Sequence, residues 1–455
     1  MRLPLVAIIG RPNTGKSTLF NRLLGFRKAI VSEIPGTTRD RIACKVETPG
    51  MDFLLVDTGG MGGGTADKEI EGDVHLQSEI ALINADVILF TINSKEELTS
   101  NDFGIVDILR KNKSKHVPVI IAVTKCDNPA ETNSIIPQYY GLGIAEQIIP
   151  VSSVHLLGIE NLKSAITEEL KKLNFAKSAE ENTVSPRIAI IGKVNAGKSS
   201  LINAIMSDPQ RETSSLLVSP EPGTTRDATE TPVMRDGKEY VFIDTAGIRR
   251  KHKTPPRLRS GGERGLEMLA YMRAVQAVEQ SDMAVIVLDS TKDISRQDKR
   301  IANLAMEEGK GIIILLNKTD LLSADQKHEA LKKAKLEFSF CKFAPFLCTS
   351  AKTKADLPKL FGLIELVGVN RKRRIATKTL NEWFRDAVYG KPMGALASSK
   401  HVTQAKDVPP TFVLFVKDPK NVSLSHLKTL ENNLRKTFGF EGTPVRWITK
   451  TADRR

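Results

Sequence analysis

The chain of 455 residues lacks any apolar run of about eighteen residues, so we expect no helix that spans a membrane. Cysteine is scarce as well: the four cysteines form no C-x-x-C pair, and the two nearest are Cys341 and Cys348. Such spacing predicts isolated reduced thiols, as in a cytoplasmic protein. The apolar run near the N-terminus leads straight into a glycine-rich loop, so we also expect no cleavable signal peptide.

The remaining composition is typical of a globular protein, with 40% hydrophobic and 26% charged residues, and the length suggests about three domains. Charge is distributed unevenly. The net charge is +14, and residues 371–455 contain 18 Lys or Arg against 7 Asp or Glu. This basic C-terminal part indicates either an anionic macromolecular partner or a solvated surface.

The chain contains one glycine-rich loop twice. Both copies fit G-x-x-x-x-G-K-[ST], and each lies between an apolar run and a helix-like segment, as a phosphate-binding P-loop requires. The loops are Gly10, Arg11, Pro12, Asn13, Thr14, Gly15, Lys16 and Ser17, and Gly192, Lys193, Val194, Asn195, Ala196, Gly197, Lys198 and Ser199. Backbone N–H groups would cradle phosphate oxygens, the two lysines would reach the β- and γ-phosphates, and the two serines would bind Mg²⁺. The alternative is a chance glycine-rich turn, which two copies in the same setting disfavour.

Further motifs follow both loops in the same order, most of them at the end of an apolar run. In the first copy they are G-T-T-R-D at 36–40, D-T-G-G at 57–60, T-K-C-D at 124–127 and S-S-V at 152–154. In the second they are G-T-T-R-D at 223–227, D-T-A-G at 244–247, N-K-T-D at 317–320 and S-A-K at 350–352. The repeated order indicates a duplicated α/β domain with a mostly parallel sheet, helices on both faces and ligands beyond the carboxyl ends of the strands.

The second copy contains the pattern N-K-x-D, at Asn317, Lys318, Thr319 and Asp320. The Asp320 carboxylate can accept two N–H bonds from guanine that adenine does not offer, so it would select guanine. Asn317 can meet the other edge of the purine, and the Lys318 stem can cover its face. Ser350, Ala351 and Lys352 complete this predicted base site.

The first copy departs from this pattern. It contains Thr124, Lys125, Cys126 and Asp127. Asp127 retains the selecting carboxylate, but Thr124 replaces the amide, so we expect a weaker or altered base site there.

Metal and switch residues are expected after the P-loops. Asp57 and Asp244 would hold Mg²⁺ through water, and the Thr38 and Thr225 hydroxyls would sense the metal and the γ-phosphate, unless they only shape a polar turn. Lys16, Thr38, Lys198 and Thr225 are therefore the catalytic candidates. The remaining nucleotide-binding candidates are Thr58, Gly59, Gly60 and Met61, and Thr245, Ala246, Gly247 and Ile248. Met61 and Ile248 stand where familiar GTPases have a glutamine that orients water, so intrinsic hydrolysis should be slow unless another group supplies the charge.

Taken together, these motifs resemble those of the Der (EngA) family, bacterial GTPases with two tandem G domains and a C-terminal KH-like domain. The resemblance covers essentially the whole chain and includes P-P-T-F-V-L-F at 409–415. It implies GTP hydrolysis in the cytoplasm, coupled to assembly of the large (50S) ribosomal subunit, with rRNA as a partner and a monomer off the ribosome. It also implies K⁺ beside the phosphates, with Asn13 and Asn195 next to the cation, although both asparagines could instead be turn residues.

The predicted domains are a first G domain at 1–172, a linker at 173–185, a second G domain at 186–368 and a basic α+β KH-like domain at 369–455. In the last domain we expect a strand at 411–416, a helix from Leu424 to Phe438 and a final strand at 445–448. G-F-E-G at 439–442 lies between a helix and a strand, so we interpret it as a helix stop and not as the G-x-x-G loop that grips RNA in KH domains. The basic stretch at 249–259 either touches RNA or is a solvated loop.

Two other functions stay open from the residues alone. A GTPase that serves tRNA modification would need a further domain with its own catalytic residues, and the sequence shows no such site. A GTP-gated scaffold would hold nucleotide in one G domain without turnover, and Thr124 makes the first copy the candidate for that role.

Overall fold

The structure, a computed structural model, describes residues 3–25, 43–59, 78–111, 117–173, 175, 185–193, 195–206, 229–244, 262–389, 391–399 and 401–451. These residues form two compact units, of which one contains the N-terminal sheet and the other contains the second sheet and the C-terminal module. Several predicted features lie outside the described residues: those at 36–40, 60–61, 194, 223–227 and 245–248, and the basic stretch at 249–259.

The first unit is built on a six-stranded, mostly parallel sheet. Its strands are β1 (Leu5–Ile9), β2 (Ala43–Val46), β3 (Phe53–Asp57), β4 (Val87–Asn93), β5 (Val119–Thr124) and β6 (Gln147–Pro150). They lie in the order β2-β3-β1-β4-β5-β6, and β2 alone is antiparallel to its neighbour among these described pairs. The helices are α1 (Lys16–Leu24), α2 (Ser100–Lys111), α3 (Pro129–Tyr140) and α4 (Ile159–Lys172), and residues 78–84 are also helical.

Burial explains why the central strands appear in the sequence as continuous apolar runs. Every residue of β1, β3, β4 and β5 is buried, as expected for parallel strands that helices cover on both faces. Because these strands are parallel, their carboxyl ends meet at one edge of the sheet. The residues that follow β1, end β3 and end β5 are Gly10, Asp57 and Thr124, so the predicted motifs are brought together at that edge.

The second sheet repeats this arrangement. Its strands are β7 (Arg187–Ile191), β8 (Thr229–Arg235), β9 (Lys238–Asp244), β10 (Met283–Asp289), β11 (Gly311–Asn317) and β12 (Phe346–Cys348). The helices along this part of the chain are α5 (Lys198–Ile205), α6 (Gly262–Glu279), α7 (Arg296–Glu307), α8 (Ala324–Glu337) and α9 (Leu357–Arg371). The order β12-β11-β10-β7-β9-β8, with β8 antiparallel, is that of the first sheet, which confirms the duplicated domain.

The C-terminal module is a small α+β fold. Its elements are α10 (Thr377–Val388), β13 (Val402–Lys406), β14 (Thr411–Val416), α11 (Leu424–Phe438) and β15 (Arg446–Thr451). Strand β14 is central, antiparallel to β13 and parallel to β15. The two helices and the sheet enclose their own core, which includes Phe384, Phe412 and Leu434. The predicted helix and central strand are confirmed, and Gly439 ends α11 with φ 86, so the helix stop is confirmed as well.

The same module is docked on the second G domain through the turn after α11. Gly442 donates its N–H to the Phe343 carbonyl at 2.6 Å, and its own carbonyl accepts from Ile312 N at 2.7 Å. A Cβ at Gly442 would lie 2.2 Å from Val367 Cγ2 on α9, and φ there is 72. An ion pair between Arg371 and Asp282, 3.1 Å long, lies beside this contact. The second glycine of G-F-E-G is thus a docking residue, a role that the sequence did not indicate.

Two absences in the described part of the chain agree with expectation. No helix there is long and apolar enough to cross a membrane. The four cysteines all lie in that part, and all of them are free thiols.

Candidate nucleotide-binding sites

The first P-loop wraps around its own lysine. Lys16 Nζ donates to the carbonyl oxygens of Gly10 and Arg11, both at 2.7 Å, and only 8% of the residue is exposed. Burial lowers the pKa of Lys16 from 10.5 to about 8, although the nearby Asp57 carboxylate raises it in part. Gly10 has φ 150, and a Cβ there would lie 2.3 Å from Thr91 Oγ1, so the loop needs glycine at this position.

The second P-loop has the same geometry. Lys198 Nζ donates to Gly192 O at 2.8 Å and to Lys193 O at 2.6 Å. In both loops the glycine before the lysine has a positive φ, 82 at Gly15 and 95 at Gly197. The helix begins directly afterwards, so its first backbone N–H groups face the loop. A ring of N–H donors with a buried ammonium beside it is the arrangement that holds phosphate oxygens.

Asn13 and Asn195 adopt a left-handed backbone, with φ 64 and 66. Asparagine is one of the few residues other than glycine that enters this region readily. Both residues are exposed. The backbone conformation alone therefore explains an asparagine at each position, and it does not test whether the side chain also binds K⁺.

Two of the three Mg²⁺ candidates of the first site, Ser17 and Asp57, lie together. Ser17 Oγ donates to Asp57 Oδ2 at 2.8 Å, and Asp57 Oδ1 accepts from Gly59 N at 2.9 Å. Thr58 instead turns inward and donates to Ile8 O at 2.7 Å, so its hydroxyl supports the sheet. A hydroxyl and a carboxylate beside the phosphate loop are hard oxygen donors and fit Mg²⁺. The described residues contain no group of three or more His, Cys, Asp or Glu side chains that could hold a metal ion.

The counterparts in the second site are Ser199, which is the exposed second residue of α5, and Asp244, which ends β9. Thr38, Gly60, Met61, Val194, Thr225, Thr245, Ala246, Gly247 and Ile248 lie outside the described residues. Their predicted roles therefore stay predictions.

The base motif of the second domain forms a connected set of hydrogen bonds. Asn317 is 1% exposed and links Ala196 of the P-loop to Ala351 of the S-A-K loop. Ser350 Oγ donates to Asp320 Oδ1 at 2.6 Å, which orients the carboxylate. Thr319 Oγ1 donates to Thr349 O at 2.9 Å, which joins the N-K-T-D turn to the end of the neighbouring strand segment.

The base motif of the first domain has the same backbone path with different contacts. Ser152 Oγ donates to Asp127 Oδ1 at 2.7 Å, as its counterpart does in the second domain. Thr124 Oγ1 donates to Thr14 O at 2.7 Å. Cys126 is 7% exposed, and its thiol points to Val123 O, away from the carboxylate. The structure thus brings the predicted residues together in both copies, but not in identical networks.

Three ion pairs at the first site were not predicted. Arg11 extends from the P-loop to the buried Asp102 carboxylate at 3.1 Å and to Glu96 at 2.7 Å. Lys95 Nζ lies 2.7 Å from Asp127 Oδ2. None of the three pairs lies within a single sequence motif, because each joins residues that come close only where the ends of β1, β4 and β5 meet.

Comparison with known proteins agrees with this geometry. A family described as "50S ribosome-binding GTPase" matches residues 5–125 and 187–318, and one described as "KH-domain-like of EngA bacterial GTPase enzymes, C-terminal" matches residues 374–450. The curated "GTPase Der" of Geobacillus kaustophilus is 40% identical over 456 aligned residues, covering 99% of both chains. The chain belongs to the Der (EngA) family of GTPases. It therefore binds GTP and hydrolyses it, and its two α/β domains are G domains.

Other relatives are consistent with the assignment. "GTPase Der" of Staphylococcus carnosus is 40% identical over 456 aligned residues, covering 99% of both chains. Among solved structures, the G domain of the T. maritima FeoB iron transporter has 28% identity, covers 37% of this chain and 99% of its own, and has a TM-score of 0.26. Enzymes of the family generally use Mg²⁺, which the Ser17–Asp57 pair fits.

Proposed function

We propose that this GTPase is a two-site switch that acts in assembly of the large ribosomal subunit. The observation that carries the proposal is the combination of two complete P-loop domains with a basic KH-like module docked on the second of them. The matching families are described as ribosome-binding and as the C-terminal KH-like domain of EngA, and a curated "GTPase Der" aligns with 99% of this chain. Residues 371–455, which contain 18 basic and 7 acidic residues, would supply the attraction to rRNA.

Within each site the P-loop lysine would move from its loop carbonyls to the β- and γ-phosphates. Lys16 and Lys198 are already held beside the first helical N–H groups, so little rearrangement is needed. Ser17 and Asp57, with Ser199 and Asp244 in the second copy, would hold Mg²⁺, which neutralises charge on the transferred phosphoryl group. Thr38 and Thr225 would complete the metal and phosphate contacts and act as the switch.

Guanine would be read by Asp127 and Asp320, each oriented by a serine hydroxyl from the following loop. A carboxylate fixed in this way can accept two N–H bonds in one plane, and adenine would leave it unpaired. Lys125 and Lys318 would cover the face of the base. The remaining members of T-K-C-D at 124–127, N-K-T-D at 317–320 and S-A-K at 350–352 would position these groups.

We further propose that K⁺ assists turnover, with Asn13 and Asn195 beside the cation. The support is chemical: Met61 and Ile248 replace the expected glutamine, so positive charge near the phosphates would have to come from another source. The proposed domains are 1–172, 186–368 and 369–455, with a linker at 173–185. We propose a cytoplasmic protein that is monomeric off the ribosome.

Co-sedimentation with purified large ribosomal subunits tests the proposal. The chain would be incubated with a non-hydrolysable GTP analogue, with GDP or with an ATP analogue. We expect the bound fraction to differ between the GTP-analogue and GDP states. With the ATP analogue it should equal the fraction bound without any nucleotide. Lys16→Ala and Lys198→Ala are matched variants that each remove one site. Equal association in every nucleotide state and in both variants would contradict the proposed switch.

A further inference from the structure

The asparagine of the second base motif is a two-sided link. Asn317 Nδ2 donates to Ala196 O at 2.9 Å, while its Oδ1 accepts from Ala351 N at 3.0 Å. One buried side chain therefore joins the phosphate loop to the loop that follows β12. The fit is close, since a Cβ at Gly197 would lie 2.2 Å from Asn317 Nδ2. Movement of either loop would break a buried hydrogen bond.

Thr124 keeps only half of this link. Its hydroxyl carries one proton and donates to Thr14 O at 2.7 Å, with Ile92 O at 3.1 Å as a second acceptor. Ser153 is the counterpart of Ala351, and within the described residues its N–H makes no hydrogen bond to Thr124 or to any other side chain. The loop after β6 is therefore not tied to the P-loop in the first domain.

The lysine that would cover the base is also held differently. Lys318 Nζ lies 2.7 Å from Asp289 Oδ2 at the end of β10. Asn93 occupies the equivalent strand position in the first domain, as the pairing of β4 with β5 and of β10 with β11 shows. Asn93 has an amide where Asp289 has a carboxylate, so Lys125 has no ion pair among the described residues.

The guanine-reading carboxylate of the first domain already has a cationic partner. Lys95 Nζ lies 2.7 Å from Asp127 Oδ2, while Ser152 occupies the other oxygen. In the second domain the equivalent residue is Thr291, whose hydroxyl bonds to Asp289 and not to Asp320. Guanine must therefore compete with an intramolecular ammonium for Asp127 but not for Asp320.

We propose that Thr124 and Lys95 make the first G domain the weaker, faster-exchanging guanine site of the chain. Thr124 leaves one base-contacting loop unlinked, and Lys95 neutralises the carboxylate that reads the base. Nucleotide release would then occur first from the first domain, while the second retains guanine. This inference rests on the proposed assignment of base recognition to Asp127 and Asp320.

Release of a fluorescent GDP analogue from the full-length chain tests it, with the other site removed by Lys198→Ala or Lys16→Ala. We expect release from the first site to be about tenfold faster than from the second. Thr124→Asn should slow first-site release about fivefold, and Asn317→Thr should speed second-site release by a similar factor. Thr437→Asn, the same exchange at an exposed position of α11, is the matched control and should change neither rate.

Lys95→Thr separates the two contributions. It should raise first-site affinity for the GDP analogue about threefold at low salt, and the gain should disappear at high salt because the ion pair is exposed. If Thr124→Asn fails to fold, the reciprocal Asn317→Thr variant still tests the link. Equal release from both sites, or faster release from the Thr124→Asn variant, would overturn the inference while leaving guanine binding and ribosome association intact.

Discussion

Binding of GDP to the first site should take up a proton at mildly alkaline pH, because of Lys16. In the unliganded fold, burial lowers the pKa of this ammonium from 10.5 to about 8. A bound phosphate stabilises the charged form and should raise the pKa again. At pH 8.5 about three-quarters of the Lys16 side chains would be neutral before binding, so about 0.75 proton should be taken up per GDP bound. At pH 7 the uptake should fall to about 0.1 proton.

The assay is calorimetric titration of the Lys198→Ala chain with GDP in two buffers that differ in ionisation enthalpy. First-site affinity should fall about tenfold as the pH rises from 7 to 9. Lys16→Arg is the matched control: its guanidinium stays charged, so whatever binding it retains should proceed without proton uptake. Uptake near zero at pH 8.5 for Lys16, or equal uptake in the arginine variant, would refute the reasoning.

The lowered pKa of Lys16 also makes the stability of the unliganded fold depend on pH. Because the folded-state pKa of Lys16 lies below its unfolded value, the charged lysine costs the unliganded fold about 3 kcal/mol, in full below pH 8. The cost disappears as the pH rises from about 8 to 10.5. Bound phosphate should remove it at neutral pH, which couples folding of the loop to nucleotide binding.

Three further outcomes are expected. In the Lys16→Ala chain, where only the second site turns over, Asn195→Gly keeps the left-handed backbone of the second P-loop but removes the amide, so the ratio of turnover in K⁺ to turnover in Na⁺ should fall toward one; an unchanged ratio would leave the asparagine as a turn residue only. Asp320→Asn should weaken second-site GDP binding about a hundredfold by equilibrium binding, and a loss below about threefold would contradict its role. Gly442→Val should release the C-terminal module and speed amide hydrogen exchange at Ile312, whereas Gly362→Ala on α9, with no atom within 4 Å of the added Cβ, should not. Unchanged exchange at Ile312 in the valine variant would show that the turn at Gly442 does not hold the C-terminal module on the second G domain.

Much of the fold followed from the sequence because parallel strands buried on both faces are continuous apolar runs. Strand β14 was predicted at its observed bounds, and the helix Leu424–Phe438 was evident from its leucine spacing. The antiparallel edge strands β2 and β8 were not predicted. They mix polar and apolar residues, as Lys45 in β2 and the exposed Met234 in β8 illustrate, and an edge strand needs no continuous apolar run.

The sites divide in the same way. Local motifs predicted the P-loop lysines and the aspartates that we propose to read the base, since each lies within a few residues of a strand end. The contacts that distinguish the two domains could not be predicted from the sequence. The contact of Lys95 with Asp127, and the equivalence of Asn93 and Asp289, follow only from the pairing of β4 with β5 and of β10 with β11. The sequence showed that Thr124 departs from the N-K-x-D pattern. It did not show which of the two hydrogen bonds of Asn317 is lost in the first domain, because that depends on the position of Ala351.

The most direct measurement for the account as a whole is the number of guanine nucleotides that the chain binds at saturation, with ATP as a competitor. Native mass spectrometry of the intact protein would count them. Two GDP molecules per chain are predicted, one fewer in each of Lys16→Ala and Lys198→Ala, and no displacement by ATP. A single bound nucleotide in the unaltered chain, or displacement of GDP by ATP, would contradict the claim of two guanine-specific sites.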